Sequence, residues 1–180
     1  MEKINKSDIT VSFLITEEDF ISMQLSRNKY IIPKENKMIF RITGIISILI
    51  GSAAFINIRE NIYQIICWFL LIAMGCYVMS YYDVINPYLI KKDSSEFYKR
   101  NKKEISSKTV ILTENEFSVR DNKHHLKIPL IYICAIAESK TTVLVYTDIE
   151  QFCFIPKRVL NENQIKKIRS LFVDEKYKSI

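Results

Sequence analysis

The apolar residues of this chain follow three different patterns. From Ile9 to Ile15 they alternate, with Ile9, Val11, Phe13 and Ile15 on one face and Thr10, Ser12 and Leu14 on the other, as in a half-buried strand. Thr16, followed by Glu17, Glu18 and Asp19, then offers a capping oxygen and acidic groups for the positive end of a helix dipole. This predicts a helix to about Asn28, after which Ile31 to Lys37, interrupted by Pro33, leads onward.

The second pattern is continuous. Uncharged apolar runs lie between Arg41 and Arg59 and between Glu60 and Asp83, each long enough to cross a hydrocarbon core of ~30 Å as a helix. Only Arg59 and Glu60 separate them, so the expectation is a two-helix transmembrane hairpin with spans at about 40–58 and 62–82. Ser47 and Gly51 form a small-x-x-x-small pair, expected to pack against the second span. Arg41 is expected to snorkel to the headgroups. Tyr63 and Trp68 at the outer end, and Tyr77, Tyr81 and Tyr82 at the inner end, supply interfacial aromatic residues. Asn86-Pro87 is expected to close the second helix.

After a charged segment from Lys91 to Glu104, read as a stalk or short helix, the period becomes two. Thr109–Leu112, Glu116–Arg120, His125–Ile128, Ile131–Ala137, Thr142–Tyr146 and Phe152–Ile155 read as successive short strands of an antiparallel meander. One helix is expected to end the chain. Asn161 and Gln164 give it a capping box, and Ile165, Ile168, Leu171 and Phe172 form its apolar stripe.

Composition alone would suit a soluble protein: 48% of the 180 residues are hydrophobic, and the net charge is +6. Placement changes that picture. Lys29, Lys34, Lys37 and Arg41 precede the first span, and Lys91, Lys92, Lys99, Arg100, Lys102 and Lys103 follow the second. By the positive-inside rule both termini face the cytoplasm, as in a multi-pass protein of the cell membrane. No cleavable signal segment is expected. The fold class is therefore an α+β membrane protein: the hairpin plus a small antiparallel β-sheet or open barrel in the cytoplasm, with a C-terminal helix. The expected organisation is 1–37 as cytoplasmic strand and helix, 38–83 as hairpin, 84–107 as basic stalk and 108–178 as β-rich domain.

Chemistry is sparse. Gly44, Gly51 and Gly75 are the only glycines and all lie in the spans, so the soluble part has no phosphate-cradling loop, dinucleotide fingerprint or nucleophile elbow. His124 and His125 are adjacent, and on a strand they would face opposite ways, which suits a turn or strand edge better than a metal. Cys134 and Cys153 fall among apolar strand residues, where a thiol is an inert small hydrophobe, and no cysteine pair has zinc or redox spacing. No catalytic residue, metal site or cofactor is expected. The remaining candidates are basic. Lys157 and Arg158 could meet a phosphate or an acidic partner, against the plainer reading of a solvated strand end. Lys91, Lys92, Lys99, Arg100, Lys102 and Lys103 could touch the inner leaflet, although positive-inside topology alone requires them. Acidic residues interleave the basic ones, so no nucleic-acid surface is expected.

The strand running into an acidic helix start from Phe13 to Phe20, the paired spans, and Phe154-Ile155-Pro156-Lys157-Arg158 ahead of the final helix resemble the YcxB-like membrane proteins of bacteria. The resemblance covers nearly the whole chain in order of elements. It implies a pleckstrin-homology-like cytoplasmic domain and no assigned activity. The functional expectation is a non-enzymatic, membrane-anchored binding or regulatory module, with membrane lipids and an unidentified protein as partners. The alternatives are an immunity protein against a membrane-active peptide and, third, a channel or transporter subunit. Neither ligand nor oligomeric state follows from the residues.

Overall fold

The computed structural model describes residues 9–56, 62–102, 105, 107–121, 124–148, 151–172 and 177–180. The chain divides into two compact units: residues 31–90, and a second built from 1–30 together with 91–180. The expected turn at Arg59-Glu60 and the candidate Lys103 lie outside the described residues.

In the discontinuous unit, strand β1 (Ile9–Leu14) buries alternate residues as its pattern predicts. It does not stand apart. It pairs antiparallel with β2 (Ser107–Leu112), Val11 opposite Val110, across almost a hundred residues of sequence. β3 (Glu116–Arg120) and β4 (His125–Pro129) complete a four-stranded sheet in the order β1-β2-β3-β4. Pro129 can donate nothing to a ladder, and a 3-10 turn over Leu130–Tyr132 follows it. The strand expected from Ile131 to Ala137 is therefore shortened to β5 (Ala135–Glu138), and the meander divides there into two sheets. β6 (Thr142–Tyr146) and β7 (Phe152–Pro156) continue the second sheet antiparallel.

The expectation that a helix ends the chain is corrected. α5 (Glu162–Leu171) is present, with the Asn161–Gln164 capping box formed in both directions at 2.8 and 2.9 Å. Beyond it, β8 (Tyr177–Ser179) adds to β5 as a parallel strand, giving the order β7-β6-β5-β8. Three residues with little alternation carry too weak a periodic signal to mark a strand. Both sheets contribute to one core. Val110, Phe117, Ile136, Leu144 and Ile155 are among its most enclosed members, and α5 adds Ile168, with Phe172 just beyond the helix.

α1 (Glu17–Ile31) buries Asp19, Met23 and Ser26, and Tyr30 stacks on Tyr146 with ring centroids 4.5 Å apart. This stripe has helical spacing but mixed polarity. Its hydroxyl is satisfied, for Ser26 Oγ lies 2.8 Å from Ser139 Oγ and 2.9 Å from Thr142 Oγ1. The basic stalk is a helix, α4 (Asn86–Asn101), whose residues from Lys91 onward belong to this unit. Phe97 stacks on Phe20 at 5.5 Å, and Tyr98 donates to the carbonyl of Ile15 at 3.0 Å.

The other unit is an antiparallel pair, α2 (Lys34–Ile56) and α3 (Ile62–Ser80). Both are long and apolar enough to cross a membrane. Ser47 is half-buried, and its hydroxyl donates to Thr43 O at 3.0 Å. Backbones approach closely at Gly44 and Gly75: a Cβ on Gly44 would stand 2.7 Å from the Gly75 carbonyl, and one on Gly75 would stand 2.8 Å from the Gly44 carbonyl. Gly51 is equally tight, for a Cβ there would stand 2.6 Å from Ile72 Cγ1 and 3.3 Å from the Trp68 carbonyl. Gly44 and Gly51, seven residues apart, thus line one seam.

Asn86-Pro87 does not end the second helix. A π-helical turn over Tyr81–Ile85 precedes it, with the Asn86 N–H donating to Tyr81 O, and helix continues through the proline. A wider turn relieves the clash between the proline ring and the preceding turn, which allows the helix to continue.

Candidate functional site

The sequence singled out Lys157 and Arg158, which the chain presents on a 3-10 turn (Lys157–Val159) between β7 and α5. The Lys157 N–H donates to Thr141 O at 2.8 Å, which fixes the turn to the β5–β6 connection. The two neighbouring cations then point to different carboxylates, so the reading as a solvated strand end is not what forms.

Arg158 meets Asp19. Its Nη2 stands 2.6 Å from Asp19 Oδ2 and its Nε 3.0 Å from Oδ1, and Nη2 also donates to the carbonyl of Leu14 at 2.8 Å. Asp19 is already part of a capping box at the start of α1. Thr16 N–H donates to Oδ2 at 2.9 Å, and Asp19 N–H donates to Thr16 Oγ1 at 3.2 Å. Burial pushes the Asp19 carboxyl upward, but the hydrogen bonds from Arg158 and Thr16 outweigh it and hold the group below its ordinary value. An open groove lined by Thr16, Glu17, Glu18, Asp19, Ile21 and Arg158 lies over this junction.

Lys157 meets Glu138 at the end of β5, and Arg169 of α5 reaches the same carboxylate with Nη2 at 2.6 Å and Nε at 2.8 Å. Glu138 is buried, and its side chain is 5% exposed, whereas Arg169 is half in water. The Arg169 hydrogen bonds pull the Glu138 carboxyl down, burial opposes them, and Lys157 adds to the lowering. The arrangement ties α5, the 3-10 turn and β5 together. Arg169 Nε also reaches Tyr177 Oη at 3.1 Å, so β8 joins the same knot. Lys157 and Arg158 are thus brought to one turn but engaged separately, each by an acid that the sequence did not mark as its partner.

The basic helix α4 is less uniform than its sequence. Lys91 and Lys92 are exposed, as is Lys102. Lys99 stands 3.6 Å from Glu17, which also accepts from Ser95 Oγ at 2.5 Å, and Arg100 pairs with Glu96 one turn back at 3.2 Å. The Ser95 hydrogen bond lowers the Glu17 carboxyl, burial opposes it, and Lys99 adds to the lowering.

The thiols and imidazoles do not converge. Cys134 lies outside any strand and is exposed, contrary to the expectation of burial; its Sγ lies 3.1 Å from Thr147 O. Cys153 is half-buried on β7, and burial raises its thiol above the ordinary value, which disfavours the thiolate. His125 Nε2 bonds Ser118 Oγ at 2.9 Å, and the His124 N–H closes a turn on Asp121 Oδ1 at 2.7 Å. Among the described residues, no group of three His, Cys, Asp or Glu side chains could hold a metal.

One polar junction lies inside the helical unit. Arg41 does not simply reach outward: its Nε and Nη2 donate to Oδ2 of Asp83 at 2.9 and 2.7 Å, joining the start of α2 to the π-helical turn. Asp83 carried no signal in the sequence beyond marking the end of an apolar run. Set against models of known protein families, curated proteins and solved structures, the chain matches none of them.

Proposed function

We propose that this chain is a non-enzymatic binding or regulatory module held at the cell membrane. The α2–α3 hairpin spans the bilayer, both termini lie in the cytoplasm, and the β-rich unit is a pleckstrin-homology-like domain of the YcxB-like kind. Its partners are membrane lipids and a protein.

The observation that carries this reading is the outer surface of the hairpin. Ile42, Ile46, Leu49, Ile66, Phe69 and Leu70 are all exposed, on helices whose inner faces are already closed against each other. An apolar surface of that extent is stable only when something apolar covers it, and lipid does so for a two-helix unit of spanning length. Lys91 and Lys92 follow on the cytoplasmic flank, where cations favour retention and contribute about 1 kcal/mol each against an anionic leaflet. The pleckstrin-homology-like assignment draws support from two four-stranded sheets, antiparallel but for the β5–β8 pair, with an amphipathic helix after β7. The non-enzymatic reading draws support from the spent state of the polar groups: Asp19, Glu138, Lys157, Arg158 and Arg169 hold one another.

The test is a fractionation and a topology measurement on the full chain. Alkaline extraction should leave the protein in the membrane pellet, and reporters fused at either terminus should be active only on the cytoplasmic side. Crosslinking from Lys91 or Lys92 in intact cells should capture lipid and one protein reproducibly. A chain that remains soluble without detergent, or substrate turnover abolished by replacing Cys134 or Cys153, would end the proposal.

A further inference from the structure

The Arg41–Asp83 pair is incompletely used. Both guanidinium donors go to one carboxylate oxygen, Oδ2, which leaves Oδ1 and the remaining N–H groups of Arg41 directed elsewhere. The two side chains are 57% and 44% exposed, so neither is sealed into the helix seam. Beside them is a cleft of about 300 Å³ lined by Arg41, Ile45, Met79, Ser80, Asp83 and Val84.

The backbone is irregular at the same place. In the π-helical turn the Asn86 N–H serves Tyr81 O. Pro87 has no N–H to give to the carbonyls four and five residues before it, those of Asp83 and Tyr82. One cationic fork therefore stands beside a carboxylate with an oxygen to spare, with apolar walls from Ile45, Met79 and Val84 next to both. Phe40, Tyr81 and Tyr82, the sequence neighbours of this pair, form a ring cluster, with Phe40 and Tyr82 centroids 4.8 Å apart and Tyr81 and Tyr82 5.2 Å apart. Arg41 and Asp83 are also the residues at which the uncharged runs stop, which is headgroup depth for a spanning hairpin.

We infer that this junction binds the headgroup of a zwitterionic phospholipid carrying a primary ammonium, of the phosphatidylethanolamine kind. The inference rests on the hairpin being in the membrane. Arg41 takes the phosphate, Asp83 Oδ1 takes the ammonium, and the apolar walls receive the first part of an acyl chain. A purely anionic headgroup meets the Asp83 charge, and a choline nitrogen has no N–H to donate, so both are disfavoured. π-helical turns interrupt helices frequently at functional sites, and here the interruption carries Asp83.

The experiment uses the full-length protein, purified in mild detergent and presented with phosphatidylethanolamine, phosphatidylcholine and phosphatidylglycerol, with retained lipid read by native mass spectrometry. Phosphatidylethanolamine should be retained preferentially, by about tenfold over phosphatidylcholine, the effect of one charge-assisted hydrogen bond. Asp83→Asn should abolish that preference. The charge exchange Arg41→Asp with Asp83→Arg keeps an interhelical pair and should retain helix content while losing the preference, which separates recognition from folding. Equal retention of the three lipids, strongest retention of phosphatidylglycerol, or an unchanged preference in either variant would overturn the inference. Trp68, the single tryptophan, separates this from failure of the membrane reading. If brominated acyl chains in vesicles fail to quench it, the hairpin is not inserted; if they quench it and no headgroup preference exists, only the present inference is lost.

Discussion

The two units place their apolar residues in opposite ways. In the β-rich unit Val110, Ile133, Ile136 and Leu144 have no measurable exposure, and cations and carboxylates close the edges of the core. In the helical unit the most enclosed positions described are glycines, Gly44, Gly51 and Gly75, while isoleucine, leucine and phenylalanine face outward. Folding in water removes apolar area from solvent, so the large side chains go inside. A helix pair surrounded by hydrocarbon gains nothing that way; it gains close backbone approach, and the smallest residues supply it. The same residue type therefore means different things in the two units.

This contrast can be broken most strongly by charging the hairpin's outer face. Phe69 and Leu14 are almost equally exposed, at 67% and 63%. Phe69→Lys should disfavour insertion by about 3 kcal/mol, seen as a shift of the protein from membrane pellet to aggregate or supernatant. Gly75→Leu comes next. Its side chain would collide with the backbone carbonyl of Gly44, and a carbonyl in a helix cannot swing aside, so the pair should lose about 2 kcal/mol. Disulfide trapping between cysteines placed on α2 and α3 should then fall, with the β-rich unit unaffected.

In the other unit, Glu138→Ala should cost about 2 kcal/mol, less than a fully buried pair because Arg169 and part of Lys157 still reach water. Chemical denaturation followed by far-UV dichroism would measure it. The same group gives a pH dependence. Glu138 and Asp19 have folded-state carboxyls held below their ordinary values of 4.5 and 3.8, so their contribution is complete above those values and is lost as the pH falls through the lower folded ones. The denaturation midpoint should drop in that acid range, and Glu138→Gln should flatten the drop. Least of all, Leu14→Lys should change stability by no more than ~0.5 kcal/mol. A loss as large as that of Phe69→Lys would show that Leu14 too is covered by something apolar, and the contrast would fail.

Particular residues show where the sequence was readable. The alternation at Ile9–Leu14, the strands Glu116–Arg120 and Thr142–Tyr146, and the Asn161–Gln164 capping box all formed where the pattern placed them. Their signals lie within a few residues of the element they describe. The stripe Asp19, Met23 and Ser26 was illegible as a buried face because two of its members are polar, and each also takes a distant partner, Arg158 or Ser139, that no local pattern shows. The pairing of Lys157 and Arg158 with different acids was equally hidden. Adjacent cations read as one basic patch until the turn sends them apart. In the helical unit the small-residue motif pointed to Ser47 and Gly51; Gly51 does meet the neighbouring helix, and the structure adds Gly44 and Gly75 to the same seam, which no local motif marked.

What the sequence determined by itself was the kind of element and the solvent it suits: an alternating strand, two helices of spanning length and apolarity, short strands with turns between them, a capped amphipathic helix. Period, capping and uncharged length act over one element, and each is written locally. Only the tertiary structure decided that β1 joins β2 across the inserted hairpin, that β8 returns to β5, and that Asp19, Glu138 and Asp83 are the acids that matter. Those choices depend on pairing energies between residues tens to more than a hundred positions apart, and a local pattern carries no record of its distant partner.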